Sequence, residues 1–181
     1  MTAVSTAPLN VSDARGRLEQ APAIASALCG GWPDALWDVD EGRGTWSARA
    51  VLCHLLHGED EDWIPRMRQI LDGRGREPFP VFDREKGMRT YGQEPPARLL
   101  DLFARKRAAS LEAFDRWHVG ERTLLETGTH PEFGAVTFEQ LLATWVTHDF
   151  AHIVQIARVA ARHYGRHAGP WRAYFSLLRG Q

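Results

Sequence analysis

The sequence predicts an all-α protein, a four-helix bundle with a long connection between its second and third helices, on three observations. Four stretches carry the 3.6-residue apolar period of helices. Convincing alternating runs of β-branched residues are missing. A chain of 181 residues, 44% of them hydrophobic, is long enough to bury one substantial core and short for two. A single domain is therefore expected over residues 1–181, with the bundle over about residues 9–165 and a tail at 166–181.

The first helix should begin near Ser12, which can cap it, and reach Leu28 before Gly30 and Gly31 end it. Pro22 should kink it or mark a boundary. A second helix runs from Ser47 to about Leu71, with Pro65 as a bend and the Asp-Gly-Arg-Gly run from Asp72 as its stop. The third opens at Pro95-Pro96, since proline suits a first helical turn, and continues to about Trp117. The last starts at Thr137, which with Gln140 makes a capping box, and closes with Gly165 as its cap. Between the second and third helices, Asp72 to Glu94 is far longer than an ordinary bundle turn. That segment either crosses the bundle to join two parallel helices or covers a site. The tail around Pro170-Trp171 is apolar enough to pack back on the bundle or into a partner, and packing back is the simpler expectation. Trp37, Trp63, Trp117, Trp145 and Trp171 fall mostly at helical positions that suit a core rather than an aromatic substrate pocket.

Charge is nearly balanced, 22 Lys+Arg against 23 Asp+Glu, so neither nucleic acid nor an anionic membrane is expected as a partner. Cys29 and Cys53, neither in a Cys-x-x-Cys pair, read as buried free thiols rather than a disulfide framework or a thiolate zinc site. No apolar run approaches 18 residues, and no basic segment precedes an apolar one at the start, so a soluble, cytoplasmic protein is expected.

Chemistry concentrates in Thr144 to Val159, a strongly apolar run carrying His148, Asp149 and His152. Residues four apart on a helix differ by about 40° in azimuth and about 6 Å in rise, so the two imidazoles project side by side and can chelate a divalent ion. A wheel centred on Trp145 gives an apolar arc through Leu141, Leu142, Ile156 and Val159, with His152 inside it, His148 at its edge and Asp149 near its centre. An ionised carboxylate buried there needs a cation or strong donors. A metal-bound histidine passes its other N–H to such a group, so Asp149 is the candidate to orient the ligands, with Gln155 beside it. Two core histidines satisfied by backbone carbonyls are the plainer alternative. The run His-Asp-Phe-Ala-His also approaches the zinc-protease pattern His-Glu-x-x-His. Against that, no Asp or Glu occurs from Ala151 to Gln181, and His163 and His167 lie too far along the helix to close a site. A third ligand must come from upstream.

The second helix offers His54, His57, Glu59, Asp60, Glu61 and Asp62. His57 lies nearer the apolar face formed by Leu52, Leu56, Trp63, Met67 and Ile70, whereas His54 falls among Ser47, Ala50 and Gly58, small residues that suit a cleft-facing surface. Periodicity slightly favours His57 and leaves both open.

Trp46-Ser47, His54-Leu55 eight residues after that tryptophan, and His148-x-x-x-His152 together resemble the DinB-like (YfiT-like) superfamily of metal-binding four-helix bundles. The likeness spans about Leu9 to Tyr164; the acidic residue often found four after the tryptophan is Ala50 here. The resemblance implies that His54, His148 and His152 hold a divalent metal, zinc or nickel, with open positions for water or substrate. Three neutral imidazoles with exchangeable water are the composition of a catalytic rather than a closed structural site. Some relatives use low-molecular-weight thiols, so a thiol-dependent transferase acting on small electrophiles is the first expectation. In it the metal holds the thiol as thiolate beside the electrophile, and Asp149 or Gln155 orients the ligands. Metal-assisted hydrolysis by bound water is the second, and a stress-associated metal-binding module without catalysis the third. Dimerisation through the bundle helices is also implied. Arg74, Arg76, Arg84, Lys86 and Arg89 of the long connection could meet anionic groups of a small-molecule substrate, although Glu77, Asp83 and Glu85 are interleaved with them as on a solvated loop. His118 and His130 fit surface roles at a helix end and in a turn.

Overall fold

The computed structural model describes residues 8–178. Their helices are α1 (Val11–Cys29), α2 (Asp34–Trp37), α3 (Ala48–Glu61), α4 (Trp63–Gln69), α5 (Lys86–Tyr91), α6 (Pro96–Asp115), α7 (Glu121–Leu125) and α8 (Phe138–Gly165). A hairpin of β1 (Thr127–His130) and β2 (Gly134–Thr137) leads into α8. The bundle consists of α1, α3 with its continuation α4, α6 and α8. Helices α1 and α3 each pack on α6 and α8, which puts α1 and α3 on opposite corners.

Asn10, not Ser12, caps α1: its Oδ1 accepts from the Asp13 N–H at 3.0 Å. The preceding Leu9 N–H donates to Glu139 Oε1 of α8 at 2.6 Å, and this tertiary contact fixes where the chain enters the helix. Helix α1 runs straight through the expected boundary at Pro22, which is buried. Proline has no N–H to give the carbonyl four residues back. That carbonyl, Leu18 O, instead accepts from Arg107 Nη1 of α6 at 2.7 Å. The second helix breaks at Asp62 (φ −108°, ψ −78°) rather than at Pro65 itself, because the proline ring collides with the carbonyl one turn earlier, at Glu61. A π-turn over Ile70–Arg74 then reverses the chain through Gly73 at φ 75°.

Pro96 opens α6 as expected, and the reciprocal Thr137–Gln140 capping box opens α8. At the other end Gly165 is the last helical residue, not the cap. A Cβ there would lie 2.7 Å from Leu178 Cδ1, so its smallness admits that side chain. The tail otherwise stays out: Trp171 is 67% exposed and Tyr174 80%. The expectation that the tail packs back holds at Leu178 alone of these side chains, and the expectation that Trp171 is core is corrected. Trp37, Trp63 and Trp145 are buried, Trp117 half-buried, and Cys29 and Cys53 are buried free thiols.

Alternation over four residues is too short to read, so the hairpin was not legible in sequence. Its Gly128 lies where a Cβ would meet Phe79 at 2.3 Å. The long connection is ordered against both hairpin and bundle. Phe79 N–H donates to Thr129 O at 2.9 Å, and α5 packs on α3 so closely that a Cβ on Gly87 would stand 2.3 Å from the Cys53 carbonyl oxygen.

Two apolar clusters fill the interior, one around Trp63, Met67, Phe138 and Trp145 and one around Trp37, Leu52, Leu56 and Phe103. The Arg107 guanidinium touches both, 5.0 Å from the Trp145 ring and 5.1 Å from the Phe103 ring.

Candidate metal centre

Ser47 caps α3 by accepting from Ala50 N–H at 3.2 Å, which fixes the helical phase that aims His54 across the bundle at α8. His148 and His152 face it from successive turns of α8. His54 Nε2 and His148 Nε2 are 2.8 Å apart, His148 Nε2 and His152 Nε2 3.2 Å, and the three ligand atoms all lie within 4.8 Å of one another. Three nitrogens on a tetrahedral ion at about 2.0–2.1 Å would be about 3.3 Å apart. His57 lies outside this group: it is buried, stacked on Phe82 at 4.6 Å, with Nε2 3.8 Å from Glu61.

The protons fit a ligand set. Gln155 Oε1 lies 3.0 Å from His152 Nδ1, so Nδ1 carries the hydrogen and Nε2 presents its lone pair. Between His54 Nε2 and His148 Nε2 there is room for one proton at most. Burial, reinforced by the neighbouring rings and Arg84, pushes His54 down to about 3 and His148 to about 2. His152 is lowered by burial too, against the opposing hydrogen bond to Gln155. Three neutral rings thus bring their Nε2 atoms to one point, with the His152 lone pair among them, an arrangement that one shared cation would satisfy. The donor set is that of an open three-histidine site for a divalent ion.

Asp149 has a different partner from the one expected. It is buried, and its Oδ2 accepts from Arg107 Nη1 at 2.5 Å rather than from a histidine. Arg107 also donates through Nη2 and Nε to Glu59 Oε1, at 2.7 and 3.0 Å. One guanidinium against two buried carboxylates leaves a surplus negative charge. Desolvation accordingly pushes Asp149 up to about 6, while Arg107, flanked by both acids, is raised and stays protonated. Sequence reasoning missed Arg107 and offered Glu59 only as one of several upstream candidates. The signal was there: Leu99, Phe103, Arg107 and Leu111 fall at every fourth position, placing an arginine on the apolar face of its helix.

Aromatic rings wall the histidines. Trp46 lies 4.7 Å from the His54 ring and parallel to His152 at 5.8 Å, Phe82 meets His54 edge-on at 5.4 Å, and Trp63 meets His148 edge-on at 5.0 Å. Above them opens a cleft of about 500 Å³ bounded by the long connection and the hairpin. So the connection covers a site, the second of its two expected roles. His130, expected at the surface, lines this cleft; its Nδ1 accepts from the N–H groups of Glu132 (3.2 Å) and Phe133 (3.3 Å).

The sequence profile of the DinB superfamily matches residues 17–156, a span holding all three histidines. The chain belongs to the DinB superfamily. Among solved structures this DinB-superfamily chain is similar to YfiT from Bacillus subtilis, with a TM-score of 0.74 and 19% identity, over 90% of this chain and 91% of that one. YfiT is described as a probable metal-dependent hydrolase with an unusual four-helix bundle topology. At that identity the likeness is one of fold. No curated protein matches this DinB-superfamily chain. Among the described residues, no helix is long and apolar enough to cross a membrane.

The lowered rings give the metal-free protein a defined acid response. Their folded pKa values lie below the unfolded one, so the unfolded chain takes up protons first, and stability falls as pH drops below about 6.5 toward the folded values. Each ring contributes about 1.4 kcal/mol per pH unit in that window. Urea unfolding of chelator-treated protein at pH 7, 6 and 5 should show the decline, and His148→Gln should flatten it; an unchanged slope would contradict the neutral-ring assignment.

Proposed function

We propose that this chain is a metalloenzyme in which His54, His148 and His152 hold one divalent ion, zinc or nickel, and that it hydrolyses small electrophilic molecules. The observation that carries this is the convergence of three neutral imidazoles at the floor of a cleft with room for a small molecule. A bound ion supplies Lewis acidity, bringing the pKa of a coordinated water or thiol toward neutrality and polarising a substrate oxygen. The protein supplies the rest. Gln155 fixes the His152 tautomer, and Trp46, Trp63 and Phe82 restrict solvent around the rings.

Asp62 lines the same cleft and is held 2.7 Å from Arg66, an ionic contact rather than an aligned hydrogen bond. Burial pushes its carboxyl up to about 6, against the lowering influence of Arg66. It is therefore ionised at neutral pH yet basic enough to accept a proton during attack by water. Likeness in fold to YfiT supports hydrolysis. Transfer to a low-molecular-weight thiol is the second reading, favoured by a cleft with room for a small thiol beside an electrophile.

Zinc- or nickel-loaded protein assayed against p-nitrophenyl esters and 1-chloro-2,4-dinitrobenzene, with and without small thiols, separates these. Thiol-independent ester turnover that disappears on chelation is expected. Turnover only in the presence of thiol would replace hydrolysis with transfer. Metal uptake without turnover of either class would leave a binding module.

A further inference from the structure

The cleft over the histidines has aromatic walls and an apolar mouth. Trp46, Trp63, Phe79 and Phe82 line its depth, while Val81 and Phe133 line it while remaining 82% and 75% exposed. Exposed apolar groups at the rim of a cavity suit a ligand with an apolar, flat body.

Two guanidinium groups reach this cleft, and their surroundings differ. Arg66 is buried, pairs with Asp62, donates to the Pro80 carbonyl at 3.3 Å and lies 5.4 Å from the Phe79 ring. Arg84 makes no hydrogen bond and no ion pair among the described residues. Three other cations of the same connection are matched, Arg74 by Glu77 at 3.4 Å, Lys86 by Glu61 and Arg89 by Asp83, while Arg76, like Arg84, has no partner among the described residues but does not line the cleft. What sets Arg84 apart is that it lines the cleft, exposed and without a partner among the described residues.

The backbone that carries Arg84 is pinned on both sides. Phe82 rests on the rings of His54 and His57, at 5.4 and 4.6 Å. Gly87 is pressed against the carbonyl of Cys53, the residue before His54, where no side chain fits. Between them Asp83 closes a turn by accepting from Glu85 N–H at 3.0 Å. Arg84 thus lines the cleft from a segment fixed to His54's own helix. Its planar fork matches a carboxylate with two parallel hydrogen bonds.

We propose that the cleft binds a small aromatic carboxylate, its carboxylate held by Arg84 and its ring against Trp46, Phe82 and Phe133, with the rest of the molecule directed at the three histidines. The proposal rests on the metal-site reading only for what happens at the histidines. Asp62 is neutralised by Arg66, which leaves Glu132, on the exposed hairpin turn, as the charge that opposes an anion at the mouth.

The test uses full-length protein, zinc-loaded and chelator-treated, titrated with 1-naphthoate and with neutral 1-naphthamide, following tryptophan fluorescence and heat. Naphthoate should bind saturably and about tenfold or more tighter than the amide. Arg84→Ala should remove that preference while leaving the amide unchanged, and Glu132→Gln should tighten naphthoate. Equal binding of the two probes, full naphthoate affinity in Arg84→Ala, or no saturable binding would each overturn the proposal. Naphthoate binding that needs zinc but not Arg84 overturns it and leaves the metal site standing. An Arg84-dependent preference in protein that takes up no zinc upholds it and defeats the metal reading.

Discussion

Arg107→Met should lower the unfolding free energy by about 3–5 kcal/mol, the usual cost of stripping one partner from a buried ion cluster. On a chain of this size that corresponds to roughly 6–20 °C in Tm. The arginine is 1% exposed and holds three acceptors on three other helices: Glu59 of α3, Asp149 of α8 and the Leu18 carbonyl of α1. Removing it leaves two carboxylates buried without a cation. The charge cluster as a whole need not be stabilising, since well-packed apolar replacements of buried ion pairs are often neutral or better. The triple variant Glu59→Met, Arg107→Met, Asp149→Leu should therefore be more stable than the single one. Thermal and urea unfolding of the metal-free proteins decide it. A single variant within 1 kcal/mol of the parent would mean that water enters and solvates the acids.

His148→Ala should abolish high-affinity metal binding. Its Nε2 lies between the other two, 2.8 Å from His54 and 3.2 Å from His152, so its loss leaves two nitrogens with no third donor to close a face. The effect should exceed the roughly 10–100-fold that follows from removing an outer support. Gln155→Ala, which frees the His152 Nδ1–H but keeps every ligand, should fall within that range. His57→Ala should bind metal as the parent does. Calorimetric titration with zinc and elemental analysis of the purified proteins give the ranking. The thermal gain on adding metal, about 2.7 kcal/mol at a hundredfold excess over Kd, should vanish with His148. Equal losses in the His57 and His148 variants would sink the three-histidine assignment.

What the sequence disclosed, and what it did not, divides by the range of the interactions. The Thr137–Gln140 capping box, the Pro96 start and the apolar stripe of α8 are set within one or two turns, and they could be read directly. A four-helix bundle and a pair of histidines on one face followed from the same local rules, whereas the superfamily was legible only in the joint pattern of Trp46-Ser47, His54-Leu55 and His148-x-x-x-His152. Which upstream histidine joins them did not follow from periodicity, because the wheel of α3 places His57 on the more apolar face; the family resemblance is what singled out His54. The cluster contains His54, which projects from the small-residue side that the neighbouring helix can approach. Asp149 illustrates a half-success: burial and the need for a cation were deducible from its position, yet the cation came from a helix 42 residues away in sequence. The exposed tail and the four-residue strands of the hairpin depend on contacts that no periodicity encodes.

Pro22 gains a second meaning from the arginine across the bundle. An interior proline is ordinarily a defect worth removing, by about 3 kcal/mol on intrinsic propensity. Here the missing N–H is what opens Leu18's carbonyl to a donor from another helix. Positions 22 and 107 therefore behave as a lock and its key cut from separate helices: with the arginine gone, the proline leaves a bare carbonyl inside the core, and alanine at position 22 would then be the repair.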